Sequence, residues 1–200
     1  MDQRLIEVLQ KVVEAQRPSD IKVPKHLYHE TIIDDLAAIK QEGLVPKKGD
    51  IIQTMPSLED DYGDPIPDIT FLSDDKTEVG GYLVWKIANK LGYGDEWVKV
   101  TWNDIEKYGL LVIVNMGSYK HALYKYVDEG EIYDSQGYKT NTIEIGNGKT
   151  MHSQDCCPPS IEQDDWFSYE PVLADRFVTG KKLVAFLKKV STQSWIKQLK

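Results

Sequence analysis

Residues 27–46, LYHETIIDDLAAIKQEGLVP, form the stretch that decides how the fold begins. Residues 25–29, which overlap the start of this stretch, are typical of a short extended segment, and the part that follows predicts an amphipathic helix over about 32–42. Leu36 and Ile39 are expected to face inward from this helix, and Gly43 supplies a left-handed stop at its end. The stretch therefore predicts a strand, a helix and a sharp turn in direct succession.

Further along the chain, a long loop separates this unit from the next one. Residues 45–68 contain four prolines and an acidic run, and a loop of this length is either a functional lid or a mobile insertion. Residues 69–73 then predict a strand, and the aspartate pair at 74–75 is expected to cap a helix running to about Leu91.

Strand patterns dominate the remaining sequence. A fully apolar run at 110–114 predicts a central strand, and residues 181–199 fit either a helix or a strand, with a helix favoured. Further strand candidates lie at 98–102, 121–127, 142–145 and 166–173. Helices concentrated in the N-terminal half and strands in the second half predict an α+β fold with antiparallel-rich sheets.

The composition is that of one globular domain. The chain has 200 residues, of which 41% are hydrophobic and 28% charged, and these are not the proportions of a disordered protein. We expect a single domain over residues 1–200, with an N-terminal amphipathic helix (1–20), a core (21–180) and a C-terminal helix (181–200). The N-terminal helix is expected to dock on its own domain or, alternatively, on a partner.

The charge of the chain limits its partners and its location. The formal net charge is -8, which argues against a protein that holds duplex nucleic acid by neutralising phosphates. Residues 1–20 are charged throughout and lack the apolar run of a signal peptide. No stretch approaches the roughly twenty apolar residues of a membrane span. We therefore expect a cytoplasmic protein with neither duplex nucleic acid nor a membrane as partner.

The cysteines give little indication of chemistry. Cys156 and Cys157 are adjacent, and adjacent cysteines rarely form a disulfide because the bridge strains the ring that it closes. The four histidines show no zinc-ligand spacing with them. A structural role is the preferred interpretation, with a redox or metal role as the alternative, and we expect no metal.

Three strings in order resemble motifs of the ADP-ribosyltransferase superfamily. They are LYHET at 27–31, TFLSDD at 70–75 with a tyrosine on the following helix, and YEPVL at 169–173. The likeness covers residues 27–46, 69–83 and 166–178. It is to the branch with a His, Tyr, Glu signature, the diphtheria-toxin-like and poly-ADP-ribose-polymerase-like enzymes, and to its small bacterial and phage members.

The resemblance implies a fold, a reaction and a set of residues. The implied fold is a split β-sandwich, and the implied reaction cleaves the nicotinamide–ribose bond of NAD+ and transfers ADP-ribose to a protein or small-molecule acceptor that the sequence does not identify. His29 and Thr31 would hold the ribose, Tyr82 would stack on the nicotinamide ring, and Glu170 would steady the positive charge that develops on the ribose. Ser73 completes the expected donor-binding set, and residues 45–68 would cover the donor.

Departures from the family pattern keep other functions open. Glu30 stands where many relatives have glycine, and its charge is expected to face the approach of the diphosphate. Ser168 precedes Glu170 by two positions where arginine-modifying relatives have a glutamate. No arginine occurs between Arg17 and Arg176, which argues against transfer of a 2′-phosphate from RNA. Lysines would have to meet the pyrophosphate instead, and the candidates are Lys25, Lys47, Lys48 and Lys76.

Two other classes of function fit the same sequence. In one, the domain keeps the fold, has lost catalysis and binds a nucleotide or a protein partner through the same cleft. In the other, the protein is an interaction or structural protein whose acidic surface is the functional part. Stabilisation by NAD+ separates the first class from the second, because a ligand that binds the folded state raises the melting temperature.

Overall fold

A computed structural model of the protein describes residues 21–46, 69–117, 123–127, 131–145, 148–152, 166–192 and 196–199. The predicted N-terminal helix, residues 47–68 of the long loop and the cysteine pair lie outside these ranges. In the described ranges, no helix is long and apolar enough to span a membrane.

The predicted central strand is confirmed and organises the first sheet. Strand β3 (Gly109–Asn115) pairs antiparallel with β1 (His26–Ile32) on one side and with β9 (Arg176–Thr179) on the other. Leu111 and Ile113 face one hydrophobic cluster, whereas the alternate residues 110, 112 and 114 face another. Burial on both faces explains why this strand is apolar at every position from 110 to 114.

A second antiparallel sheet contains four strands in the order β2-β8-β4-β5. These strands are β2 (Thr70–Leu72), β4 (Tyr124–Val127), β5 (Glu131–Asp134) and β8 (Trp166–Ser168). A separate hairpin is formed by β6 (Thr142–Glu144) and β7 (Thr150–His152). The fold is α+β with antiparallel sheets, as expected.

Four α-helices surround the sheets within the described residues. They are α1 (Leu36–Glu42), α2 (Gly81–Lys90), α3 (Trp102–Tyr108) and α4 (Gly180–Val190), so helices occur in both halves of the chain. Helices α2, α3 and α4 pack on one face of the three-stranded sheet. Their buried contacts include Leu83 of α2, Ile105 of α3 and Leu183 of α4. The other face of that sheet packs with residues of the four-stranded sheet and of α1, including Leu72, Trp166 and Ile39.

Several boundaries differ from the sequence-based prediction. The strand predicted at 98–102 is wrong: residues Trp97–Lys99 form a 3-10 helix and α3 follows directly. Polar capping decides this, because the Asp104 N–H donates to the Thr101 hydroxyl at 3.2 Å, and the Thr101 N–H donates to the Asp104 carboxylate at 2.9 Å. Strand β8 ends at Ser168, well short of residue 173.

The helix expected after the aspartate pair starts later than predicted. The Asp75 carboxylate binds the backbone N–H and the hydroxyl of Thr77, both at 2.7 Å, and closes a turn. Helix α2 begins only at Gly81, after Gly80 with φ 122°. The helix predicted over 32–42 is confirmed, with a 3-10 turn at Ile33–Asp35 before α1 and Gly43 at φ 81° as its stop.

Candidate functional site

Within the described residues, the two sheets share one backbone bridge, and the candidate site lies beside it. The Tyr28 N–H donates to the Ser73 carbonyl and the Ser73 N–H donates to the Tyr28 carbonyl, each at 2.9 Å. At the next residue of β1, the bond to β2 comes from a side chain: His29 Nδ1 lies 2.9 Å from the Phe71 carbonyl oxygen. The two strands therefore separate at His29.

The geometry around His29 determines which ring nitrogen can meet a ligand. A carbonyl oxygen only accepts, so Nδ1 carries the proton in this hydrogen bond. Burial lowers the pKa of His29, the Phe71 carbonyl works against this, and the positive charge of Lys86 adds to the lowering. The ring is therefore neutral near pH 7, and Nε2 presents a lone pair that can accept a hydrogen bond from a hydroxyl group.

Thr31 lies on the same face of β1 as His29 and belongs to a polar group. Its hydroxyl donates to the Asp35 carboxylate and accepts a hydrogen bond from Lys86 Nζ at 3.2 Å. Because the hydroxyl proton is already used, Thr31 can offer a ligand only an acceptor lone pair. Lys86 is thus the residue that brings positive charge to this part of β1.

Helix α2 carries the predicted tyrosine to the same region. Tyr82 lies one turn before Lys86, and Lys86 Nζ is 5.2 Å from the centroid of the Tyr82 ring. The Tyr82 ring also stacks on Trp85, with centroids 5.5 Å apart and an interplanar angle of 21°. Through Lys86, Tyr82 is therefore linked to Thr31. The sequence places Lys86 four residues after Tyr82 on the same helix face, but neither Lys86 nor Trp85 was predicted as a site residue.

Glu30 was expected to face the approach of the diphosphate, but its carboxylate is hydrogen-bonded within the protein. It accepts hydrogen bonds from the backbone N–H groups of Gly80 and of Leu83, the latter at 2.8 Å. Burial raises the pKa of Glu30 to about 7, while N–H groups at the start of α2 hold it from rising further. This carboxylate caps α2 and is not left to face a diphosphate.

Ser73 contributes mainly through its backbone. Its hydroxyl takes part in a tight turn, accepting from the Asp75 N–H at 3.2 Å. The neighbouring Asp74 carboxylate accepts from Trp166 Nε1 at 3.1 Å and from Lys125 Nζ at 2.8 Å. These bonds tie the end of β2 to β8 and β4, and so fix the position of the bridge at Ser73.

Glu170 lies at the other end of β8 from Ser73. In the antiparallel register Trp166 opposes Leu72 and Ser168 opposes Thr70, so the chain moves away from Ser73 as it runs along β8. Glu170 follows two residues beyond that end, where its N–H donates to the Ser168 hydroxyl at 3.0 Å. Burial raises the pKa of Tyr124, and the charge of Glu170 adds to the increase. The structure thus links Thr31 to Tyr82 through Lys86 and brings Ser73 against β1 next to His29, whereas Glu170 lies beyond the far end of β8.

Comparisons with known proteins leave the site to be interpreted from its own residues. No protein-family model matches the chain, and neither the curated proteins nor the solved structures give a match. Within the described ranges, no cluster of three or more His, Cys, Asp or Glu side chains could hold a metal ion.

Proposed function

We propose that the protein is an ADP-ribosyltransferase that uses NAD+ as donor and binds it where β1 and β2 separate. The observation that carries this proposal is the His29 ring, whose Nδ1–H is anchored to the Phe71 carbonyl so that a neutral Nε2 acceptor remains. Tyr82 and Lys86 lie on the helix that packs beside it.

Each of these groups matches one part of the donor. His29 Nε2 accepts a hydrogen bond from a ribose hydroxyl, and the Tyr82 ring offers a face for offset stacking with the nicotinamide ring. Lys86 supplies the positive charge that the diphosphate requires, in a chain with no arginine between residues 17 and 176. The order of strands β5-β4-β8-β2 and β1-β3-β9, joined only between β1 and β2, agrees with a sandwich that is split at this point.

The proposed reaction breaks the bond between the nicotinamide nitrogen and the ribose carbon. Nicotinamide leaves with the bonding electrons as a neutral molecule, and the ribose carbon passes through an oxocarbenium-like state. The acceptor then donates an electron pair to that carbon and releases a proton. Holding the donor in a reactive pose supplies much of the acceleration for such a step, and a carboxylate near the ribose stabilises the developing charge.

The source of that carboxylate separates the two candidate functions. Glu170 is the carboxylate expected from the sequence, yet it lies beyond the end of β8 that points away from Ser73. This position favours the second candidate, an inactive module that binds a nucleotide or a protein partner at the same opening. The sequence also has Glu162, Asp164 and Asp165 before Trp166, outside the described residues, and variants at these positions test a source of the carboxylate other than Glu170.

Incubation of the purified chain with millimolar NAD+ tests both candidates. The assay follows the melting temperature, nicotinamide release and the intact mass of any modified acceptor. Stabilisation with release supports the transferase, and stabilisation without release supports the binding module. Absence of both effects would overturn the transferase and the NAD+-binding form of the module together. His29→Ala should reduce the stabilisation, whereas the matched control His152→Ala, at an exposed histidine of β7, should leave it unchanged.

If nicotinamide is released, single variants identify the carboxylate. Glu170→Gln keeps the size of the side chain and removes its charge. Loss of release in Glu170→Gln assigns the role to Glu170. Retained release in that variant, with loss in one of Glu162→Gln, Asp164→Asn or Asp165→Asn, assigns it to the segment before β8.

A further inference from the structure

Helix α2 starts with a sequence that does not cap itself. It is preceded by Gly80 at φ 122° and begins with Gly81, and no side chain of its own N-cap residue accepts a backbone hydrogen bond. The first N–H groups of any helix have no partner within the helix and need one from elsewhere. Two successive glycines also leave this turn with little intrinsic helix preference.

The missing cap comes from β1. The Glu30 carboxylate uses one oxygen for the Gly80 N–H and the other for the Leu83 N–H, across 50 and 53 residues of sequence. A negative group is favourable at this end because the helix dipole is positive there. Glu30 is half-buried, and burial raises the pKa of its carboxyl group to about 7.

Glu30 makes the first of three polar contacts between α2 and residues 30–34. Glu30 binds the first turn, Thr31 accepts from Lys86 at 3.2 Å, and Asp34 pairs with Lys90. The links follow the same order in both segments, so α2 lies along the chain from Glu30 to Asp34. The Glu30 link is the one at the Tyr82 end of the helix.

We propose that Glu30 is a positioning residue of the donor site: its carboxylate fixes the first turn of α2 on β1 and thereby holds Tyr82 and Lys86 beside His29 and Thr31. The apolar residues of α2 set which face of the helix is buried against the core. The paired hydrogen bonds from the Glu30 carboxylate add a directional contact that fixes the first turn of the helix on β1. The role of the positioned side chains in holding NAD+ rests on the function proposed above.

Hydrogen exchange tests the positioning without any ligand. Glu30→Ala should raise the exchange rate of the amides of Leu83 and Lys86 by about tenfold or more, consistent with loss of a helix cap. Glu30→Gln keeps the side-chain length and one acceptor oxygen, and should retain most of the protection. Glu78→Ala removes an exposed acid from the segment just before α2 and serves as the matched control. Unchanged exchange in Glu30→Ala would overturn the proposal.

A double-mutant cycle on NAD+ affinity tests the link to the site. If Glu30 acts through the placement of α2, Lys86→Ala should weaken binding by about tenfold in the wild type and by less than about threefold in Glu30→Ala. Equal effects in both backgrounds would show that Glu30 affects only general stability. Should Glu30→Ala fail to fold, Glu30→Asp, whose carboxylate is one methylene shorter, takes its place in the cycle. A wild type that binds no NAD+ defeats the proposed function, while hydrogen exchange still decides the positioning.

Discussion

Replacement of Glu30 by glutamine should change how the stability of the protein depends on pH. The folded-state pKa of Glu30 is about 7 against an ordinary value of 4.5, with burial as the main cause. Between these two values the folded state binds a proton that the unfolded state has released. The resulting stabilisation is fully present below about pH 4.5 and is lost as the pH rises through about 7. At ~1.4 kcal/mol per pH unit over about 2.5 pH units, the whole stabilisation amounts to about 3.5 kcal/mol.

Other titrating groups also change the stability with pH, and their contributions cancel when wild type and variant are compared. Burial lowers the pKa of His29, so its contribution to stability increases as the pH rises through its usual range. The pKa values of Asp75 and Glu131 are lowered, mainly by hydrogen bonds from Thr77 and from Lys139, and their contributions are lost only in acid. Glu30→Gln keeps all three groups. The difference between wild type and variant therefore isolates Glu30.

Urea unfolding at pH 5, 6, 7 and 8 measures this difference through the linear dependence of the free energy of unfolding on urea. The free energy of unfolding of the wild type, relative to Glu30→Gln, should fall by about 2.5 kcal/mol from pH 5 to pH 8, because part of the effect is already lost at pH 5. Glu78→Gln should follow the wild type at every pH. A difference between wild type and Glu30→Gln that stays constant across this range would refute the reasoning.

Four further outcomes are expected. Gly43→Ala should lower the free energy of unfolding by about 2 to 4 kcal/mol in urea, because Gly43 has φ 81° and an added Cβ would lie 2.8 Å from the Val172 carbonyl oxygen; an unchanged midpoint would contradict this. His29→Ala should weaken NAD+ binding about tenfold in a calorimetric titration, and equal weakening by His152→Ala would show that the effect is not local. Glu170→Gln should fold and bind NAD+ normally, with nicotinamide release lowered about a hundredfold if its carboxylate steadies the ribose; retained release would exclude that role. Random duplex DNA should bind more weakly than about micromolar at physiological salt, given the net charge of -8, and a tighter complex in a fluorescence titration would contradict this.

The parts of the fold that the sequence predicts are those with a strong local pattern. The run at 110–114 is apolar at every position because β3 is buried on both faces, and the pattern alone identifies it. The helix before Gly43 is predictable because its apolar residues recur with the helical period and a glycine marks its end. Residues 98–102 mislead because Val98 and Val100 alternate with polar residues like a strand, while the capping pair Thr101 and Asp104 starts a helix.

The candidate site is less predictable because its contacts join distant parts of the chain. His29 and Tyr82 could be chosen from the resemblance, but the bond from His29 to the Phe71 carbonyl depends on how β1 meets β2. The cap from Glu30 to α2 crosses 50 residues and has no local sequence pattern. The position of Glu170 likewise follows from the register of β8 against β2, which a motif does not specify.

The single backbone bridge between Tyr28 and Ser73 has a consequence for the way the molecule opens. Each sheet has its own ladder of hydrogen bonds, and only this pair of bonds is shared between β1 and β2. Units that exchange few backbone hydrogen bonds can unfold as separate cooperative blocks, at free energies below that of global unfolding. We expect native-state hydrogen exchange to resolve two such blocks, one for each sheet, with the boundary between them at the His29–Phe71 contact.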